Sequence, residues 1–131
     1  MAKSKSLPAY KEAQRLVSTL HETTRKAPKE LRVTLVQRLL SESVAVIVDI
    51  DTANRLQGHA RANQMERAKR RSARLDVLLF VAMEQRCLSK GAAGKAMEHV
   101  DNLRRQLHGW AKQTTDHLSA SPASKAEPST R

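Results

Sequence analysis

The stretch RANQMERAKRRSARLDVLLFVAM, residues 61–83, is arginine-rich in its first half and apolar in its second. Wound as a helix at about 100° per residue, it sets Ala68, Ser72, Leu75, Leu79 and Ala82 along one line that faces a core. Arg67, Arg70, Arg71 and Arg74 share another quadrant, and Val77, Leu78 and Val81 come round onto the same side. One outward strip therefore passes from basic to apolar beside a packing surface.

Between residues 54 and 74, seven cations stand against Glu66 alone: Arg55, Arg61, Arg67, Lys69, Arg70, Arg71 and Arg74, six of the chain's net +11. A charge run on a helix is ordinarily a solvated face. Here, however, only Glu66 can pair within the helix, with Lys69 or Arg70, and such pairs contribute about 0.2–0.5 kcal/mol each. Four like charges in one quadrant repel, and a polyanionic partner relieves the repulsion. The seven cations are the candidate nucleic-acid contacts. Aromatic residues are only 2% of the chain (Tyr10, Phe80 and Trp110), too few for a base-stacking platform. Contacts should fall on phosphates, with weak sequence preference and strong salt dependence.

The flanking segments supply three more helices. Met1–Ser6 reads as a flexible basic arm. A first helix starts near Leu7, with Ser6 as N-cap and Pro8 in the first turn, and carries Tyr10, Ala13, Leu16, Val17 and Leu20 before Pro28 ends it. The second runs from about Lys29 to Gln57, with Gly58 as its stop. It has two apolar stripes: Leu35, Leu39, Val46, Ile50 and Ala53, and, rotated by about 100°, Val33, Val36, Leu40, Val44 and Ile47. A helix apolar on two sides is buried on two sides. Val36, Leu40, Val44 and Ile47, with Val77, Leu78 and Val81, are the candidate subunit interface. The third helix is expected over Arg61–Arg86. A fourth is capped by Ser89 and carries Ala93, Ala96, Val100, Leu103, Leu107 and Trp110 in steps of three and four. Trp110 reads as a core anchor. Residues 119–131, without a large apolar side chain, read as a disordered tail.

The expected architecture is all-α: an antiparallel up-down-up-down four-helix bundle over residues 7–118. The lone Cys87 suits a reducing cytosol as an ordinary buried or half-buried thiol, no run is long enough to span a membrane, and the N-terminus lacks a signal-peptide core. A soluble cytoplasmic protein is expected.

Catalytic chemistry is missing. A di-iron bundle needs Glu-x-x-His on two helices, yet the residues three after each glutamate are Arg15, Arg25, Val33, Ala45, Lys69, Cys87, Asp101 and Thr130. The histidines His21, His59, His99, His108 and His117 form no i,i+4 pair, and there is no Gly-x-Ser-x-Gly, P-loop or Gly-x-Gly-x-x-Gly. Asp49 and Asp51 point about 200° apart on a helix, and Asp51 reads as a surface partner of Arg55. No enzyme, metal or cofactor is expected.

The order of features carries a resemblance: Arg25-Lys26-Ala27-Pro28-Lys29-Glu30, then Arg32, Leu35 and Arg38, then Ile50, Ala53 and Asn54, then Arg74-Leu75-Asp76 through Leu79, Leu88-Ser89, and Leu107-His108-Gly109-Trp110. Over roughly residues 7–118 the chain resembles the accessory variability determinant (Avd) proteins of diversity-generating retroelements, which are related to the four-helix proteins of ribosomal-RNA intervening sequences. The resemblance implies a non-enzymatic partner of a reverse transcriptase. It implies a barrel-like homopentamer of four-helix bundles whose basic surface meets polymerase and nucleic acid, supporting error-prone copying of template RNA into cDNA. That family offers no invariant motif to carry over, so the site residues above come from charge geometry alone. The alternatives are an intervening-sequence-type bundle or a structural interaction module, each without a polymerase partner.

Overall fold

The computed structural model describes residues 3–120, with side chains to residue 116. Four helices account for nearly all of it: α1 (Pro8–Thr23), α2 (29–55), α3 (Gly58–Glu84) and α4 (Lys90–Ala120), with no strand among the described residues. Each helix packs against two others, α1 on α2 and α4, α3 on α2 and α4. α1 and α3 therefore occupy opposite corners of a four-membered ring. Cross-links between helices fix the antiparallel sense: Asp49 on α2 meets both Gln64 and Arg71 while Glu42 meets Arg71, and on the α3–α4 seam Arg104 meets Asp76 and Thr114 meets Met65.

Leu16, Leu20, Leu39, Val46, Ile50, Met65, Leu75, Leu79, Val100, Leu103 and Leu107 are fully buried. Ala13, Ala68, Ala82, Ala93 and Ala96 are buried among them, small side chains that let neighbouring helices approach. The core lines expected on α3 and α4 are buried as far as Leu107, and Trp110 is half-buried against the core.

In α2 the expected stripe is displaced. A π-helical segment, Arg32–Val36, joins Lys29–Leu31 to Gln37–Arg55, and the Gln37 amide donates back to Arg32 O, five residues away. That extra residue in one turn rotates everything upstream. Val36, three residues before Leu39, is buried, while Leu35 packs against the core only in part, and the π turn brings Leu31, five residues before Val36, against the core as well. The inward line then continues through Leu39, Ser43, Val46, Ile50 and Ala53. Ser43 escaped the sequence reading because it is polar. Its hydroxyl is satisfied within its own helix by donating to Leu40 O, as Ser72 does to Ala68 O.

The ends differ from expectation in three places. Ser6 does not cap α1: it lies in a 3₁₀ turn, Ser4–Ser6, and Leu7 stands at the cap position. In that turn Ser4 Oγ donates to Asp51 Oδ1 and accepts from Asn54 Nδ2, both on α2. Gly58 does not close α2 but opens α3 with φ 61°, a left-handed value open to glycine without a Cβ penalty. The expected tail lies outside the described residues from 121 onward, while 119 and 120 belong to α4. Ser89 caps α4 as expected, its Oγ accepting from the Ala92 amide at 3.1 Å.

Candidate nucleic-acid interface

The outward side of α3 carries Arg67, Arg70 and Arg74, all exposed, and no ion pair joins any of them to a carboxylate among the described residues. They sit on successive turns of one regular helix because Ala68, Ser72 and Leu75 fix its inner face. Three guanidinium groups are thus presented to solvent with no internal counter-charge.

Arg71 does not belong with them. Its Nε donates to Asp49 Oδ2 at 3.0 Å and its Nη1 lies 3.4 Å from Glu42 Oε1, both acids coming from α2. The hydrogen bond to Asp49 raises the Arg71 pKa further, against the opposing effect of burial. Asp49 also accepts from Gln64 Nε2 at 3.0 Å. Arg71 is a strut between α2 and α3, and a search for acids within its own helix could not reveal partners on the neighbouring one.

Arg61 is likewise turned inward. Its Nε donates to Ala53 O and Leu56 O, its Nη2 donates to Asn54 O, and its guanidinium lies 5.7 Å from the centroid of the Trp110 ring. The last carbonyls of a helix lack intrahelical partners, and Arg61 supplies donors to those of α2. It caps one helix from the start of the next.

The two remaining candidates, Arg55, which is exposed, and Lys69, which is half-buried, are each partnered. Lys69 Nζ lies 2.9 Å from Glu66 Oε2, and Arg55 Nε lies 3.1 Å from Asp51 Oδ2, the pairing expected for Asp51. Exposed pairs of this kind contribute about 0–1 kcal/mol and exchange partners readily. The ledge therefore consists of Arg67, Arg70 and Arg74, flanked by Lys69, with Arg55 at the α2 end.

The apolar part of the strip is open. Val77 is 65% exposed and Val81 36%, with Phe80 beside them at 50%. Of the candidate interface residues on α2, Val44 is exposed, whereas Val36 is in the core and Leu40 and Ile47 pack partly against it, as does Leu78 on α3. Val33 and Val48 are also exposed.

Among the described residues no group of three or more His, Cys, Asp or Glu side chains could hold a metal ion, and no helix is long and apolar enough to cross a membrane. Cys87 is buried, and burial raises its pKa and keeps it a thiol. Comparison with protein-family models and with curated protein sequences gives no match.

Proposed function

We propose that this chain is a non-enzymatic, cytoplasmic accessory protein of a diversity-generating retroelement, binding a reverse transcriptase and its template RNA or cDNA. The observation that carries the reading is the row of Arg67, Arg70 and Arg74, exposed and without carboxylate partners among the described residues. Such a row fits the regularly spaced charges of a polynucleotide backbone, whose counterions it would displace. The adjoining exposed Val77, Phe80 and Val81 supply apolar surface for sister copies in a homo-oligomer, a pentamer by the family resemblance.

The protein would act as a scaffold. Guanidinium groups lower repulsion between template phosphates, and holding polymerase and template on one assembly raises their effective concentration for each other. Binding through phosphates is sequence-tolerant, which suits a process that copies varied templates.

The test is RNA binding across a salt series. The Arg70→Glu/Arg74→Glu double variant should lose binding while its circular dichroism stays that of the parent. With single-stranded RNA each lost phosphate contact reduces the slope of log K against log salt by about 0.7. Unchanged affinity and slope would remove the α3 ledge as the binding surface. Co-purification with a reverse transcriptase encoded beside this gene tests the partner.

A further inference from the structure

A second cationic surface lies on the other side of the bundle. Between α1 and α4 runs a groove of about 610 Å³ lined by Lys11, Arg15, Ser18, Thr19, Lys95 and His99, with Gln14 at its edge and no acid in its lining. Its residues come from α1 and α4 alone, and α1 is the corner of the ring opposite α3. The groove therefore shares no residue with the ledge.

Its floor is built. Glu12, 5% exposed, brings Oε2 within 2.6 Å of His99 Nδ1 and Oε1 within 3.2 Å of Arg15 Nη1. One buried carboxylate thus fixes a side chain from each wall. Lys11 and Lys95 have no carboxylate within ion-pairing distance among the described residues, although exposed Glu98 lies one turn from Lys95. Lys11, Arg15 and Lys95 against Glu12 leave a surplus of two positive charges, with hydroxyl donors at Ser18 and Thr19. From Lys11 to Thr19 the wall runs about 12 Å at 1.5 Å per residue, long enough for about two successive phosphates of one extended strand.

We infer that the α1–α4 groove is a second phosphate-backbone site, so that one bundle holds two segments of nucleic acid on opposite sides. This goes beyond the α3 ledge and stands or falls separately from it. Lys11 and Lys95 would make the phosphate contacts, while Arg15 and His99 are positioned by Glu12. Two strand sites on one small scaffold would let it juxtapose a template and its copy, or two regions of one RNA.

The experiment uses the full chain, a fluorescent single-stranded RNA and a salt series, comparing parent, Lys11→Glu/Lys95→Glu and Arg70→Glu/Arg74→Glu. The groove variant should keep the parent's melting temperature and show a salt slope shallower by about 1.4, two contacts at about 0.7 each. Lys11→Arg/Lys95→Arg should restore the slope. If the groove variant binds like the parent while the ledge variant does not, the groove inference is overturned and the ledge survives. The converse result keeps the groove and removes the ledge, and a parent that does not bind RNA removes both. Displacement of the RNA by polyglutamate at equal charge concentration would overturn the assignment to nucleic acid in favour of an acidic protein segment.

Discussion

Arg70 and Arg71 are adjacent in sequence and opposite in role, which makes them a sharp pair for mutation. Arg71→Ala leaves the buried Asp49 without a cation and Glu42 with only Arg38, at 3.9 Å. Leaving a buried acceptor short of its partner costs about 1–3 kcal/mol, and Gln64 still donates to Asp49, so denaturant unfolding of Arg71→Ala should show a loss within that range. Arg70→Ala is exposed and free of such contacts, and its stability should stay within about 0.5 kcal/mol of the parent while RNA affinity falls. An equal loss of stability in both variants would show that the strut is not there.

Asp76 gives a pH prediction at the same scale. It pairs with Arg104 at 3.1 Å, yet its pKa is raised above the ordinary 3.8, because burial outweighs the Arg104 attraction and Asp101 adds repulsion. The folded state then holds the proton more tightly than the unfolded chain, so stability falls as pH rises from 3.8 through the folded-state value. Above that window the ionised carboxylate is a net cost. Asp76→Asn should melt at or above the parent's temperature at pH 7, with the difference closing by pH 3. A lower melting temperature at pH 7 would mean that the Arg104 pair outweighs burial.

At the scale of elements, the helix ends hold what pattern reading misses. α3 stops in a Schellman motif: the Cys87 amide donates to Ala82 O at 2.8 Å and the Arg86 amide to Met83 O at 3.0 Å. Arg86 sits at the left-handed position with φ 64°, where glycine is usual and an L side chain costs about 1–2 kcal/mol. Arg86→Gly should therefore stabilise the protein by roughly 1 kcal/mol, read as a higher denaturant midpoint at unchanged slope. A fall in the midpoint would show that the arginine side chain contributes more than its backbone strain costs. The π segment is the other local device. It lets Leu31 and Val36 both reach the core, which a regular helix through Val33–Leu39 could not do.

For the whole molecule, the question is what covers the outward valines. Burying apolar area stabilises by about 25 cal/mol per Å², so in the proposed homo-oligomer Val77, Phe80 and Val81, exposed on the single chain, would contribute where copies meet. Val77→Asp/Val81→Asp should shift sedimentation toward smaller species and leave the melting of the smallest species nearly unchanged. A parent that sediments as a single chain would overturn the proposed assembly, and a variant with the parent's profile would remove these side chains from it.

The four helices, their approximate bounds and most of the core could be read from the chain alone. Ala93 to Leu107 repeats in the helical period, and Leu75, Leu79 and Ala82 do the same on α3. Burial of one face is a local, periodic constraint, and sequence records it directly. The exposed arginine row was legible for the same reason, since Arg67, Arg70 and Arg74 fall on one side of a regular helix. The pairing of Arg71 with Asp49 and Glu42, the capping of α2 by Arg61 and the groove between α1 and α4 were not. Each joins residues on different helices, and which side chains meet across a seam depends on how the helices are rotated and staggered. The balance between Val36, fully in the core, and Leu35, only partly against it, is likewise set by packing, because only the facing helices decide which of two adjacent apolar residues is buried more deeply.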